Sequence, residues 1–139
     1  MALVKFQFAR NDIRTPEQRH EALEFGKMGE QMAARYLEDQ GYTILEHNYR
    51  RGRLEIDLIA LDRDELVVVE VKTRAYDTIL QPEDAVGHKK RLAMIRLANE
   101  YVKSHGRTEN VRLDVVAIVK NDHGADIKHI KNAFNIMNF

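Results

Sequence analysis

The chain has no cysteine, which excludes disulfide scaffolds, thiolate zinc sites and thiol catalysis. No apolar run approaches the roughly 18 residues that a spanning helix requires, so no membrane partner is expected. The opening stretch, MALVKFQFARNDIR, lacks the apolar core of about 7–15 residues that marks a secretory signal, and the expected compartment is the cytoplasm. Net charge is absent as well: Lys+Arg and Asp+Glu both number 22. A generic nucleic-acid binder carries a basic excess, so here any nucleic acid must meet a local patch. The six histidines are scattered, with no His-Glu-x-x-His. There is no Gly-x-Gly-x-x-Gly, no P-loop and no Gly-x-Ser-x-Gly, so nucleotide-fold and serine-hydrolase chemistry have no handle.

What remains is a chain of 139 residues, 44% apolar and 32% charged, with two Pro and seven Gly. That length is one ordinary domain, large enough for a core without staples. No repeat, low-complexity tract or linker interrupts it. Residues 1–16 lack clear periodicity and read as a mobile N-terminal arm, and 17–139 read as a single domain.

From Glu17 to Gln40, Ala22, Phe25, Met28, Met32, Tyr36 and Leu37 recur at three- and four-residue steps, which predicts an amphipathic helix stopped by Gly41. Thr43–Tyr49 reads as a short strand, followed by the polar Arg50-Arg51-Gly52-Arg53. Glu55–Leu61 and Leu66–Thr73 are strand signals joined by Asp62-Arg63-Asp64-Glu65, which reads as a hairpin. Ala75–Gln81 is a connector. A second helix is expected from Glu83 to Ser104, with Val86, Leu92, Ile95, Ala98 and Val102 on one side and Gly106 at its close. Val111–Lys120 is a further strand, Asn121–Gly124 a turn and Ile127–Ile130 a last short strand. The order is α-β-β-β-α-β-β.

If the hairpin loop has two or four residues centred between Arg63 and Asp64, facing residues have numbers that sum to 127. Leu61 then faces Leu66, Ile59 faces Val68, Asp57 faces Glu70 and Glu55 faces Lys72. Opposed Cβ atoms lie about 4.5–5.5 Å apart, so carboxylates and an ammonium would share the face of Ile59 and Val68. The other face carries Ile56, Leu58, Val67, Val69 and Val71. Both faces are apolar, which predicts central strands covered on both sides. Charges there are costly unless paired or liganded, and a metal ion would explain two adjacent acids. Glu-x-Lys by itself carries no weight. Two acid-x-Lys pairs occur, Glu70-Val71-Lys72 and Asp126-Ile127-Lys128, about the number that chance supplies. Geometry alone leaves a metal or catalytic site and an ordinary strand-end ion pair both open.

Glu30 lies at the margin of the first helix's apolar stripe, one turn after Gly26 and directly after Gly29. A glycine inside a helix costs roughly 1 kcal/mol relative to alanine, so the pair predicts a close approach, with plain helix-to-sheet packing as the simple reading. Between Gly87 and Arg107, Lys89, Lys90, Arg91, Arg96, Lys103 and Arg107 stand against Glu100 alone. Three of these cations fall near a helix start, where the macrodipole disfavours them. Arg50, Arg51 and Arg53 form a second cluster. Phosphate would suit both clusters, and so would a solvated face. Asp114 reads as a strand-start acid paired with a neighbouring base.

Taken jointly, Gly26-Lys27-Met28-Gly29-Glu30, Glu55-Ile56-Asp57-Leu58-Ile59, Val69-Glu70-Val71-Lys72-Thr73-Arg74, Ala85-Val86, Arg112-Leu113-Asp114-Val115-Val116 and Asn132-Ala133-Phe134 resemble the YraN family, bacterial proteins with a predicted nuclease fold. Where that family commonly has Gly before Glu-Ile-Asp, this chain has Leu54. The family in turn is similar to the PD-(D/E)xK nucleases, archaeal Holliday junction resolvases in particular. The resemblance implies a restriction-endonuclease-like α-β-β-β-α-β core of α/β class, a mixed central sheet with helices on both faces. It also implies a metal-dependent deoxyribonuclease acting on branched or junction DNA. Glu30, Asp57, Glu70 and Lys72 would be the catalytic set, and Asp57, Glu70 and the Val71 carbonyl would hold Mg²⁺ or Mn²⁺. Thr73 would add a hydrogen bond, and Arg53, Arg74, Lys89, Lys90 and Arg91 would grip phosphates without reading bases. A homodimer would suit a symmetric junction, although no sequence feature marks one. The rival reading is a non-catalytic nucleic-acid-binding or partner-binding domain on the same fold.

Overall fold

The computed structural model describes residues 14–74 and 87–133. Its elements are α1 (Pro16–Asp39), β1 (Thr43–Arg51), β2 (Leu54–Asp62), β3 (Glu65–Arg74), α2 (His88–Ser104), β4 (Asn110–Asn121) and β5 (Gly124–Ile130). This is the expected order. Most of the expected arm (residues 1–13), the Ala75–Gln81 connector, the start of the second expected helix and the Ala85-Val86 and Phe134 motif positions lie outside the described residues. Pro16 belongs to α1.

Local chemistry sets both ends of α1. Thr15 and Gln18 form a reciprocal capping box, Gln18 N donating to Thr15 Oγ1 at 3.1 Å and Thr15 N to Gln18 Oε1 at 2.8 Å. At the other end Gly41 takes φ 96°, and Tyr42 N donates to the Leu37 carbonyl at 2.9 Å. That left-handed glycine satisfies carbonyls that the helix leaves open.

The five strands lie in the order β1-β2-β3-β4-β5. All neighbours are antiparallel except β3 and β4, which run parallel, with α2 in the crossover between them. One hydrophobic layer joins Ile59, Val68, Leu113 and Val115 to Met94, Leu97, Ala98 and Tyr101 of α2. The other joins Leu58, Ala60, Val67, Val69, Val71, Val116 and Ile118 to Ala33, Ala34 and Leu37 of α1. The fold is therefore α/β, a mixed sheet with a helix on each face, consistent with the α-β-β-β-α-β nuclease-like core.

The hairpin register agrees with the expected sum of 127, from Asp62↔Glu65 to Leu58↔Val69, around a turn of Arg63 and Asp64. It stops there. The expected oppositions of Asp57 with Glu70 and of Glu55 with Lys72 are absent from the pairing, because β2 continues on β1 alone and β3 on β4 alone. Ile56 also departs from its expected face. It packs in the α2-side layer together with Ile59, three residues away, so strand alternation breaks between them.

Each helix keeps part of its expected stripe, with Met32, Tyr36 and Leu37 of α1 and Ile95, Ala98 and Val102 of α2 packed on the core, but the centre of the buried face is shifted. α1 buries Gly26, Gly29, Ala33, Ala34 and Leu37, while Ala22 is exposed and Met28 is 56% exposed. Small residues face the sheet because the helix sits close: a Cβ at Gly29 would overlap the Thr73 methyl. α2 buries Met94, Leu97, Ala98 and Tyr101. These satisfy the same helical spacing as Leu92, Ile95 and Val102, and only packing chooses between the two sets.

A polar network fastens the hairpin end of the sheet. Arg112 donates to Asp62, Glu65, Asp114 and the Tyr42 hydroxyl. Asp114, fully buried, also accepts from His129 Nε2 at 2.7 Å and Asn132 N at 2.9 Å. Burial opposes both charges, yet the contacts prevail: Asp114 lies below and Arg112 above its ordinary pKa. Burial pushes the Tyr42 hydroxyl up to about 12, so it meets Arg112 as a neutral acceptor. Asp114 thus pairs with its neighbouring base as expected.

Two outcomes follow from this packing. Gly29→Ala should destabilise by about 1–3 kcal/mol through overpacking, and Thr73→Ser, which removes the obstructing methyl, should restore most of the loss in urea unfolding. Asp114→Asn should cost about 3 kcal/mol at neutral pH, because it leaves the largely buried Arg112 guanidinium short of a counter-charge. Folding lowers the Asp114 pKa from 3.8, so its contribution is complete above that value and is lost as pH falls towards the folded one. The gap between wild type and Asp114→Asn should therefore narrow below about pH 4 in denaturant titrations.

Candidate active site

Main-chain pairing of β2 with β3 ends at Leu58↔Val69, and the candidate site begins one residue further on. Asp57 Oδ2 accepts a hydrogen bond from Val71 N at 2.8 Å. A side chain thereby satisfies a buried main-chain donor beyond the ladder, which would be costly to leave open. The contact also brings the Asp57 carboxylate beside the Glu70-Val71-Lys72 segment.

Regular pairing of β3 with β4 extends to Arg74. Glu70, Lys72 and Arg74 alternate with Val71, which packs in the α1-side layer. All three are buried, at 3%, 1% and 3% exposure, which is rare for charged residues. Lys72 Nζ lies 3.3 Å from Glu70 Oε1, and Lys90 Nζ of α2 lies 3.7 Å from Glu70 Oε2. Glu70 Oε2 has no hydrogen bond among the described residues. Burial pushes the Lys72 ammonium below its ordinary pKa, against the opposing pull of Glu70. Burial lowers Arg74 too, and no guanidinium nitrogen of Arg74 has a hydrogen-bond partner among the described residues.

The basic residues separate into different environments. Arg53 is exposed in the β1–β2 turn, Lys89 is exposed, and Lys90 and Arg91 are half-buried. α2 begins at Gly87 with no side-chain cap and no acid in its first turn. Lys90 is tolerated at the positive end of the helix dipole because it faces Glu70. In the neighbouring cluster, Arg50 pairs with Glu55 and Arg51 with Glu100, each at 3.0 Å. Glu55 therefore meets a cation from β1 where Lys72 was expected. Leu54 packs against the α2-side layer.

Glu30 is half-buried on α1. The Asn48 carboxamide, oriented to satisfy its neighbours, donates to Glu30 Oε2 at 2.9 Å and Glu55 Oε1 at 3.0 Å. Sequence reading passed over Asn48, which stands in a strand with no chemical motif. Its only signal is an Asn between β-forming neighbours, a residue type depleted from strands. The Glu70–Lys90 contact was equally hidden, since it joins two elements across the crossover. Thr73, expected to supply a hydrogen bond, turns its methyl towards Gly29.

For a divalent ion, the donor chemistry fits. Asp57 and Glu70 present hard oxygens on either side of the Val71 peptide, and one buried Glu70 oxygen, facing Lys90 at 3.7 Å, lacks a hydrogen bond among the described residues. No group of three or more His, Cys, Asp or Glu that could hold a metal occurs among the described residues. Mg²⁺ usually takes one or two carboxylates and fills its remaining positions with water.

The family model described as "Uncharacterised protein family UPF0102" matches residues 29–118. The chain belongs to the UPF0102 family. A UPF0102 protein of Bacteroides thetaiotaomicron is 41% identical over 111 residues, covering 80% of this chain and 92% of that one. One of Parabacteroides distasonis is 42% identical over 111 residues, with the same 80% and 92% coverage. A third, of Syntrophus aciditrophicus, is 45% identical over 115 residues, 82% of this chain and 91% of its relative. Membership of UPF0102 bears out the likeness to the YraN family drawn from the motifs. The matched span includes Glu30, Asp57, Glu70 and Lys72. No helix among the described residues is long and apolar enough to cross a membrane.

Glu70→Gln and Lys72→Met should each destabilise by about 3–5 kcal/mol, since each leaves a buried charge without its partner. The double variant should lose less than either single one, and urea unfolding of the three proteins checks this. That pattern would mean the pair is retained for something other than stability.

Proposed function

We propose that this UPF0102 protein is a divalent-metal-dependent endonuclease that hydrolyses DNA phosphodiesters and selects its substrate by shape, a branch or junction above all. The observation that carries the reading is a fully buried lysine beside two carboxylates at the point where two central strands part. Burying these charges is expensive, and the Arg112 network already fastens the sheet at its hairpin end. Chemistry on a polyanion gives the cost a use.

Asp57, Glu70 and the Val71 carbonyl would hold Mg²⁺ or Mn²⁺. When bound, the ion would activate water and neutralise phosphoryl charge. The Asp57 bond to Val71 N orients its carboxylate beside the Glu70-Val71-Lys72 segment. Lys72, with its pKa lowered by burial, would position the attacking water and stabilise negative charge on the phosphorus-bound oxygens. Glu30 would complete the acid set from the helix side. Arg74, whose guanidinium has no hydrogen-bond partner among the described residues, is suited to a phosphate, and Arg53, Lys89, Lys90 and Arg91 would contact the backbone without reading bases. A balanced net charge favours a local grip on an unusual shape over generic duplex binding. A homodimer on a four-way junction would present two such sites to symmetric arms.

End-labelled four-way-junction and flap DNA, incubated with Mg²⁺ or Mn²⁺, tests this directly. Nicking is expected, lost with EDTA and lost in Lys72→Ala while DNA binding persists. Binding should weaken steeply with added salt. Cleavage that survives in Lys72→Ala would overturn the mechanism. Tight, salt-sensitive binding with no cut under any metal would favour the non-catalytic DNA-binding reading.

A further inference from the structure

We infer that Asn48 is a positioning residue of this site, tying Glu30 of α1 to Glu55 of β2, the strand that carries Asp57. The inference rests on the reading of Asp57 and Glu70 as a metal-binding centre, with Glu30 beyond its direct ligands. Asn48 has φ 51° within the nine-residue strand β1. The other non-glycine residues with positive φ among those described are Arg63 and Asn132, and both sit in turns. A left-handed residue inside a strand is uncommon, and Asn adopts that conformation more readily than most. His47 pairs with Leu58 and Tyr49 with Ile56, so Asn48 stands across from Asp57.

The consequence can be followed through both strands. Beyond Asn48, Tyr49 turns under α2, its ring 5.0 Å from that of Tyr101. Ile56, opposite Tyr49, goes to the same layer, whereas Leu58 stays on the α1 side. The irregular residue is thus where β1 and β2 change phase, and its amide reaches the helix acid on α1. An amide nitrogen carries two hydrogens, and here one goes to each carboxylate. A hydroxyl could serve only one of them, and a carboxylate neither. Because the donor is neutral, it ties Glu30 to the sheet without adding a counter-charge to it. The other oxygen of Glu55 meets Arg50, whose side chain is 68% exposed.

Isothermal titration of the full chain with Mn²⁺, without DNA, tests the role. Thermal unfolding and nicking kinetics accompany it. Asn48→Gly removes the amide and keeps a residue at ease with positive φ. It should unfold within a few degrees of wild type, bind Mn²⁺ about tenfold more weakly and nick with lower kcat at little-changed KM. In a Glu30→Gln background it should cost almost nothing further, since Asn48 acts through Glu30. Wild-type affinity in Asn48→Gly, or losses that add in the double variant, would overturn the role of Asn48 alone. A large drop in stability would also overturn it, marking Asn48 as scaffold. Wild-type protein that takes up no Mn²⁺, or takes it up equally in Asp57→Asn/Glu70→Gln, would overturn the reading of the centre and this role with it.

Discussion

The hydrogen bond from Val71 N to the Asp57 carboxylate is the constraint on which the rest of the site depends. It lies one residue past the last main-chain pair of β2 and β3. A buried peptide donor at that point needs a partner, and a carboxylate supplies one while remaining charged. The same contact ends the hairpin, releases β2 to follow β1, and leaves β3 to carry Glu70, Lys72 and Arg74 along β4. The strand separation and the charge cluster are one event in the backbone.

Around that junction the charges are arranged by different elements. Lys72 comes from the same strand as Glu70. Lys90 comes from the first turn of α2, which crosses back over the sheet, and Glu30 comes from α1 on the far face through Asn48. Burial raises the cost of each charge and also strengthens every attraction among them. A site assembled this way is held by both helices, so the close seating of α1 at Gly29 and Thr73 matters at a distance. The Arg112–Asp114–His129 network plays the complementary part, securing the hairpin end through hydrogen bonds to Asp62, Glu65 and Tyr42.

Much of the fold was legible because its signals are local. The apolar run of Leu66 to Val71, the four polar residues at Asp62–Glu65 and the glycine at position 41 each act within a few residues of themselves. They gave the element order and the hairpin register down to Leu58↔Val69. On α1, Met28 was placed on the buried stripe and Gly26 and Gly29 were left off it, because methionine outweighs glycine on any hydrophobicity count, whereas close packing prefers the smaller side chains. Met94, Leu97 and Tyr101 were missed on α2 since two sets of positions share one helical period. Ile56 changed face because a single left-handed residue on the neighbouring strand breaks the period of two.

For the site, Asp57, Glu70 and Lys72 were visible as a group, since one hairpin carries them all and its turn is short. The reaction assigned to them came from resemblance, and periodicity alone would have left an ion pair equally open. Tertiary structure decided the rest. It set Lys90 against Glu70, buried Arg74 without a hydrogen-bond partner among the described residues, gave Glu55 to Arg50, and tied Glu30 to the sheet through Asn48. Each of these contacts depends on how far a helix is rotated or where two strands separate. Those quantities are fixed by packing across the whole sheet, and no local pattern in the chain encodes them.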